Sequence, residues 1–176
     1  MQNNSYPPVS EAIVHQMSRE KEITNWFLTK GMLRYDYNIT EDSTVDVAHG
    51  VSFKQMNIWD IPFKFNNVNG FFNVSHNQLS SITMLPTTSK LYISCAYNKI
   101  TNLHNIHKIV RQMSGKFYCT GNPIKSHMLG LCLVRGLESV EFDNGPIDNI
   151  INKYLHDINL CQEALIDAGF ADYGQM

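Results

Sequence analysis

The sequence predicts an α+β solenoid, a short array of four to five coils with helices at both ends, and three observations predict it. Apolar residues recur with a fixed period in the middle of the chain. Within each period they alternate with polar residues, as on a strand with one buried face. Amphipathic helical patterns flank the repeats. We therefore expect a single domain over residues 1–176, with an N-terminal helical cap (1–34), a strand pair and repeat coils (35–144) and a C-terminal helical cap (145–176).

The repeat is clearest over residues 66–103, where two successive segments align column by column. Asn77 in the first segment aligns with Asn98 in the second, a spacing of 98 − 77 = 21 residues. Four apolar pairs share this spacing: Phe72 and Ile93, Val74 and Cys95, Leu79 and Ile100, Ile82 and Leu103. The two apolar residues before each asparagine predict a short strand facing the core. The asparagine amide can donate and accept, so we expect it to bond the backbone of adjacent coils.

Neighbouring segments repeat the pattern with defects. Upstream, Met56 occupies the asparagine column at a spacing of 77 − 56 = 21 residues. Downstream, Asn122 follows the preceding asparagine after 122 − 98 = 24 residues, which predicts three inserted residues ahead of the strand at Phe117. Val140 and Phe142 predict a last strand. The chain therefore has four clear coils and one degenerate coil.

The segment before the repeats predicts helices and then a strand pair. After a loose lead-in at residues 1–9, a weak pattern predicts a short helix from Ser10 to about Met17. A second helix is expected to begin with Ser18 as its N-cap and to end at Gly31 in a left-handed conformation. Its apolar face is expected to cover the first coil, because solenoids need caps. The following segment, from Tyr35 to Val47, predicts strand, turn and strand.

The segment after the repeats predicts further helices. Residues 126–135 predict a short one-sided helix that packs on the core. Gly145 and Pro146 begin a strongly amphipathic helix, since proline fits the first helical turn. A later helix carries Leu160 in its apolar pattern and ends with Gly169 as its C′ residue. We expect the last two helices to cap the final coil.

The order apolar-x-apolar-x-x-Asn-x-apolar-x-x-apolar resembles the leucine-rich repeat. The flanking segments extend the resemblance to the small leucine-rich-repeat proteins encoded by tailed bacteriophages, over about residues 18–173. These segments are WFLTKG, YNITEDSTVDV, FDNGPIDNIINKYL and CQEALIDAGF. The resemblance implies no shared catalytic activity. It implies an accessory protein that acts in the cytoplasm of an infected host cell.

Composition and charge argue against several classes of function. The net charge of −2 gives no general attraction to nucleic acid or to an anionic membrane. No stretch reaches the roughly 18 apolar residues that a membrane-spanning helix needs, and no secretory signal pattern is present at the start. The cysteines are too widely spaced for a zinc or redox motif. Cys95 and Cys119 occupy an inward column, so we expect buried thiols in a reduced, cytoplasmic protein.

The sequence carries no recognisable catalytic motif, so we expect no enzyme activity, no cofactor and no metal. It lacks GxxxxGK[ST], GxGxxG after a strand, GxSxG and HExxH. His104 and His107 could share one face of a helical turn and bind a metal, but no third ligand has matching spacing. Cys119 and His127 could suggest a nucleophile and its base, although an inward cysteine disfavours the thiolate.

Strand alternation yields the candidate binding residues. Residues between the inward columns should point out from the sheet, and they form two outward columns. One column holds Ser52, Asn73, Ser94, Tyr118 and Glu141, and its neighbour holds Phe71, Tyr92, Lys116 and Ser139. Aromatic side chains are effective interface anchors, so the candidate partner-binding residues are Phe71, Asn73, Tyr92, Ser94, Lys116 and Tyr118. The alternative is that the terminal helices or a loop cover this strip.

Two functional hypotheses follow. The leading one is a non-enzymatic interaction module that holds a host or phage protein against its sheet face and redirects or inhibits it. The alternative is a nucleic-acid-binding accessory factor of phage replication or transcription. It rests on a basic cluster around coil four, Lys108, Arg111, Lys116 and Lys125, with Tyr118 among them. Scattered lysines on a solvated face are the simpler explanation of that cluster.

Overall fold

A computed structural model describes residues 11–32 and 36–176, which form a β-solenoid of about four turns with helices at both ends. The helices are α1 (Glu11–Thr29), α2 (Ile106–Ile109), α3 (Gly145–Lys153) and α4 (Ile158–Asp167), and a 3₁₀ helix spans Leu129–Leu133. The strands are β1 (Tyr37–Ile39), β2 (Val45–Val47), β3 (Val51–Ser52), β4 (Phe65–Val68), β5 (Phe72–Asn73), β6 (Thr88–Ser89), β7 (Ile93–Ser94), β8 (Gln112–Tyr118) and β9 (Arg135–Glu141). The predicted lead-in, the proposed N-cap Ser10 and the start of the extended segment at Tyr35 lie outside the described residues.

The coils stack through two parallel ladders of short strands. In the front ladder, β3, β5, β7 and the last residues of β8 and β9 pair side by side. Phe72 pairs with Ile93 and Ile93 with Phe117, and all three side chains are fully buried. The predicted inward register is therefore confirmed. The second ladder, which the repeat pattern does not predict, joins β2, β4, β6 and the first residues of β8 and β9.

Buried asparagines connect successive coils, as predicted. The side-chain oxygen of Asn77 accepts hydrogen bonds from the backbone N–H groups of Met56 (3.1 Å) and Ile58 (2.9 Å). Its amide nitrogen donates to the carbonyl oxygen of Phe53 (2.8 Å), one coil back. One coil further along, Asn98 accepts from the N–H of Leu79 and donates to the carbonyl of Val74 in the same way. Met56 can therefore occupy the asparagine column of the first coil, because Asn77 satisfies the backbone there.

The three inserted residues lie before the second ladder. Leu103 keeps the 21-residue spacing to Ile82, since 103 − 82 = 21. Met113 pairs with Ser89, and 113 − 89 = 24. The insertion therefore falls between Leu103 and Met113, in the stretch that contains α2.

The N-terminal cap is one helix, not two. α1 runs without interruption from Glu11 to Thr29, so the predicted break at Met17 and the predicted N-cap role of Ser18 are wrong. Ser18 lies in the middle of the helix, where serine costs only about half a kcal/mol relative to alanine. That cost is too small to end a helix whose next turns pack on the coils.

The end of α1 is as predicted. Gly31 adopts a left-handed conformation with φ 75°, and the N–H of Met32 donates to the carbonyl of Phe27 at 3.1 Å. This is the 6→1 bond of a Schellman motif. Trp26 meets the rings of Phe53 and Phe63 edge-on, both at 5.2 Å between ring centroids. α1 therefore covers the first coil with aromatic packing.

The predicted strand pair is confirmed. β1 and β2 run antiparallel, with Tyr37 opposite Val47 and Ile39 opposite Val45. β2 then pairs in parallel with β4, so this hairpin leads into the second ladder.

The C-terminal helices cap the last strand. The backbone N–H of Val140 donates to the side chain of Asn152 (2.7 Å), and the Asn152 amide donates back to the Val140 carbonyl (3.0 Å). The Asp148 carboxylate accepts from the N–H of Phe142 (3.1 Å), beyond the end of β9. α3 thus supplies the partners that a further coil would supply. Within the predicted helix at 126–135, only Leu129–Leu133 is helical, as a 3₁₀ helix, and β9 begins at Arg135. Leu160 of α4 is exposed rather than packed inward.

Candidate functional site

The outward face of the front ladder carries the predicted aromatic strip. The rings of Phe71 and Tyr92 stack in parallel, with centroids 5.3 Å apart and an angle of 7° between planes. Tyr118 meets Tyr92 edge-on at 5.8 Å. Phe71 lies so close to Gly50 that a Cβ at Gly50 would sit 2.5 Å from the ring. All three rings are half-buried rather than fully exposed, because neighbouring coils cover part of each. We call Phe71, Tyr92 and Tyr118 the first aromatic row.

A second aromatic row, His76 and Tyr97, lies at the other end of the front strands. Its rings stack with centroids 4.4 Å apart and 16° between planes. Tyr97 in turn covers Gly121, where a Cβ would sit 2.4 Å from the tyrosine ring. The absence of a side chain at Gly121 therefore leaves the room that the Tyr97 ring occupies.

The second row depends on a repeated backbone conformation. The residue before each asparagine-column position has a positive φ: Gln55 (59°), His76 (57°), Tyr97 (54°) and Gly121 (69°). A bulky residue such as tyrosine rarely adopts this conformation, so its recurrence marks a fixed feature of the coil. Strand alternation does not predict this row. The available signal was the alignment of these four positions in one column, with a glycine among them.

A groove of about 370 Å³ lies between the two aromatic rows. Its walls include Tyr92 and Tyr118 on one side and His76 and Tyr97 on the other. Small side chains line the rest of the groove: Asn73, Ser75, Ser94, Ala96 and Thr120. Lys54 lines the end nearer the first coil and Glu141 the end at the last strand. We call this space the front groove.

The floor of the front groove offers hydrogen-bond donors that the protein does not use. The Asn73 oxygen accepts from the backbone N–H (3.0 Å) and the hydroxyl (2.7 Å) of Ser75. Within the described residues, the Asn73 amide nitrogen and the hydroxyls of Ser94, Tyr92 and Tyr118 have no protein partner. These groups can bind polar groups of a ligand while the rings pack on its apolar parts.

The other predicted site residues are less well placed. Lys116 pairs with Ser139 in the ladder and is exposed, but it does not line the front groove. Ser94 is in the predicted outward column, yet its residue is only 8% exposed because the neighbouring rings shield it. Phe71 supports Tyr92 from outside the groove. The candidate site therefore centres on Asn73, Tyr92 and Tyr118, with the second row added.

The basic cluster around coil four is dispersed. Lys108 and Arg111 line a separate pocket together with Lys64. Lys116 and Lys125 line neither that pocket nor the front groove. Two of the four basic residues thus share a pocket, and the other two lie outside both spaces.

The residues considered for catalysis or metal binding do not assemble. Burial raises the pKa of the Cys119 thiol well above its usual value, and its sulfur lies 3.1 Å from that of Cys95. His127 bonds the hydroxyl of Ser126 at 2.7 Å instead of approaching a thiol. Among residues 11–32 and 36–176, no three histidine, cysteine or carboxylate side chains are grouped to hold a metal ion. His104 and His107 accordingly find no third ligand there.

No helix in the described part of the chain combines the length and apolar character needed to cross a bilayer. Comparison with protein-family models, curated proteins and solved structures finds no match to this chain.

Proposed function

We propose that this chain is a non-enzymatic protein-interaction module whose front groove binds an extended segment of a host or phage protein. The observation that carries the proposal is the pairing of two stacked aromatic rows with a floor of unused donors between them. Stacked rings are held in place before binding, so they bury area at low entropic cost.

The dimensions of the groove suit an extended chain. It crosses the five strands of the front ladder, which at about 4.8 Å per step gives a length of about 19 Å. An extended segment of about six residues has this length, since each residue spans about 3.3 Å. Such a segment would place its side chains against the two rows and its backbone carbonyls near Asn73 and Ser94.

The proposal includes that the coils are leucine-rich repeats of the kind carried by small bacteriophage proteins. The 21-residue period, the buried asparagine and the parallel front ladder support it. On this view the chain is an accessory protein that acts in the cytoplasm of the infected cell and redirects or inhibits its partner.

Affinity purification with matched variants tests the proposal. The double variant Tyr92→Asp with Tyr118→Asp places two charges in the groove. Tyr97→Asn removes one ring of the second row while keeping a residue that tolerates positive φ. Trp59→Ser is the control, because Trp59 is an aromatic side chain 71% exposed outside the groove.

We expect the bound partner to be lost with both groove variants and kept with the control, while all variants keep wild-type circular dichroism. Identical partner lists for wild type and both groove variants would remove the front groove from consideration. If the groove variants lose the partner, calorimetry with the purified partner and wild-type protein tests direct binding. Direct binding would exclude bridging by a third protein.

Nucleic-acid binding remains the alternative hypothesis. The front groove has aromatic rows that could stack bases, but among the described residues only Lys54 provides a positive charge there, opposite Glu141 at the far end. A salt-dependent mobility shift with single-stranded DNA or RNA that is lost in Lys116→Glu with Lys125→Glu would favour this alternative.

A further inference from the structure

A second pocket, away from the front groove, gathers three cations. Its volume is about 210 Å³, and its charged side chains are Lys64, Lys108 and Arg111. Thr83 and Thr87 line the same pocket, together with the apolar side chains beneath. Lys64 precedes β4 and Arg111 precedes β8, so stacking of the coils brings together residues far apart in the sequence. We call this space the cationic pocket.

The cations in this pocket are not neutralised by the protein. No carboxylate of residues 11–32 or 36–176 lines the pocket. Within the described part of the chain, the sole ion pair joins Arg19 and Glu22, so Lys64, Lys108 and Arg111 have no carboxylate within salt-bridge distance. The chain has 16 acidic against 14 basic residues, so acidic side chains are not scarce. An anion bound among these exposed and unpaired cations would be attracted by all three.

The hydrogen-bonding groups match an oxyanion. Arginine presents a planar fork of donors to phosphate oxygens, and lysine ammonium groups add mobile donors. The Thr87 hydroxyl has no bonding partner among the described residues and can donate as well. Thr83 Oγ1 lies 3.0 Å from the Ser81 hydroxyl, which can orient its proton.

The surroundings favour a compact anion over a polyanion. A larger adjoining groove shares Lys64 and Thr83 with the cationic pocket, but Asp42 and Asp60 line it. Hydrogen bonds from the Thr40 hydroxyl, and then from the Thr44 hydroxyl, lower the pKa of Asp42. This carboxylate stays charged near neutral pH. A nucleic-acid backbone that continued from the pocket into this groove would meet these two carboxylates, and the further cation there, Arg19, is paired with Glu22.

We propose that the cationic pocket binds the phosphate or diphosphate group of a small ligand through Lys64, Lys108 and Arg111. The site lies among residues that the front groove does not use, so it represents a function separate from protein binding. A small phosphorylated molecule could occupy it whether or not a partner is bound.

Titration with pyrophosphate, followed by amide NMR shifts of the full chain at constant ionic strength, tests the proposal. We expect saturable shifts that include the amides of Thr87 and Arg111. The double variant Lys108→Gln with Arg111→Gln should weaken binding by about tenfold or more, because it removes two charge-assisted hydrogen bonds. Lys90→Gln with Lys125→Gln is the control, since it removes the same charge from exposed positions outside the pocket.

Three results would overturn the assignment. The first is non-saturable binding of pyrophosphate, and the second is equal weakening in the pocket variant and the control. The third is that a single-stranded oligonucleotide binds far more tightly than pyrophosphate and that both double variants weaken this binding. That result would indicate a diffuse surface for polyanions. Wild-type melting temperatures in both variants exclude loss of fold as the cause of weaker binding.

Discussion

Replacing Asn98 with alanine tests the asparagine ladder directly. The Asn98 oxygen accepts from the N–H of Leu79 (3.0 Å), and its amide donates to the carbonyls of Val74 (3.0 Å), Cys95 (3.0 Å) and Ala96 (3.2 Å). Each of these carbonyls also accepts a hydrogen bond from another residue, so it stays satisfied in the variant. The Leu79 N–H loses its acceptor. We therefore expect a loss of about 1–3 kcal/mol, the cost of one buried unsatisfied donor.

Thermal and urea unfolding, followed by circular dichroism, measures this loss. For a domain of this size each kcal/mol corresponds to about 2–4 °C, so the melting temperature should fall by roughly 2–12 °C. The matched control is Asn149→Ala, an exposed asparagine in α3 that should unfold like wild type. If Asn98→Ala also unfolds at the wild-type temperature, the asparagine does not carry the backbone of the neighbouring coil.

The variant Asn98→Asp separates the acceptor role from the donor role. One carboxylate oxygen could still accept from Leu79, but the other would face three carbonyl oxygens, which disfavours the charged form. The pKa of this aspartate should therefore be higher in the folded than in the unfolded chain. The variant protein should be most stable at pH values below the pKa of this aspartate in the unfolded chain. Its stability should decrease as pH rises through the pKa of the aspartate in the folded chain. Stability that is independent of pH relative to wild type would contradict this reasoning.

Three further substitutions test other parts of the fold. Gly70→Ala would place its Cβ 2.4 Å from the backbone nitrogen of Gly50 in the preceding coil. We therefore expect a loss of about 1–3 kcal/mol in the free energy of unfolding, measured by urea titration. Wild-type stability would show that the coils are not packed this closely. Asn152→Ala removes both side-chain hydrogen bonds to Val140 in the last strand. It should lower the free energy of unfolding by about 1–2 kcal/mol and speed amide hydrogen exchange in β9 alone. Unchanged exchange in β9 would show that α3 does not cap this edge. Burial, and then nearby positive charge, lowers the pKa of His107 below 6.5, so the unfolded chain binds this proton more readily and stability should decline as pH falls through 6.5. His107→Gln should flatten that decline in urea midpoints measured at neutral and mildly acidic pH, and an unchanged slope would assign the decline to other groups.

The front ladder and both helical caps were predictable because their signals are local. The inward register follows from alternation around Phe72 and Ile93, and the columns of a repeat reinforce one another. Gly31 and Gly169 marked helix ends because both adopt the positive φ that glycine favours.

The second ladder was not predictable in the same way. Its strands are as short as two residues, and one of them is the polar pair Thr88–Ser89. Such a segment has no alternation of its own and is extended because the coils above and below pair with it. At Ser18 a local signal was present but did not decide the structure. Serine is typical of helix starts, yet Ser18 lies inside a helix that is stabilised by packing on the coils.

The candidate site was predicted in part. Alternation placed Tyr92 and Tyr118 on the outward face, and the ring geometry agrees with that placement. His76 and Tyr97 were missed because their direction depends on a left-handed backbone conformation, which alternation along a strand does not describe. Of the basic cluster, Lys108 and Arg111 line one pocket with Lys64, a residue of another coil that their spacing in the sequence does not predict.

Each coil of the front ladder offers the next coil the same kind of backbone hydrogen-bond partners, so coils could be added to the array one at a time. Duplicating the segment at residues 72–92 would insert one more unit with matching asparagine bonds on both sides. The front groove would lengthen by one strand spacing, about 4.8 Å, or about one and a half residues of an extended ligand. If the front groove binds an extended segment as proposed, repeat number would set the length of that segment in discrete steps.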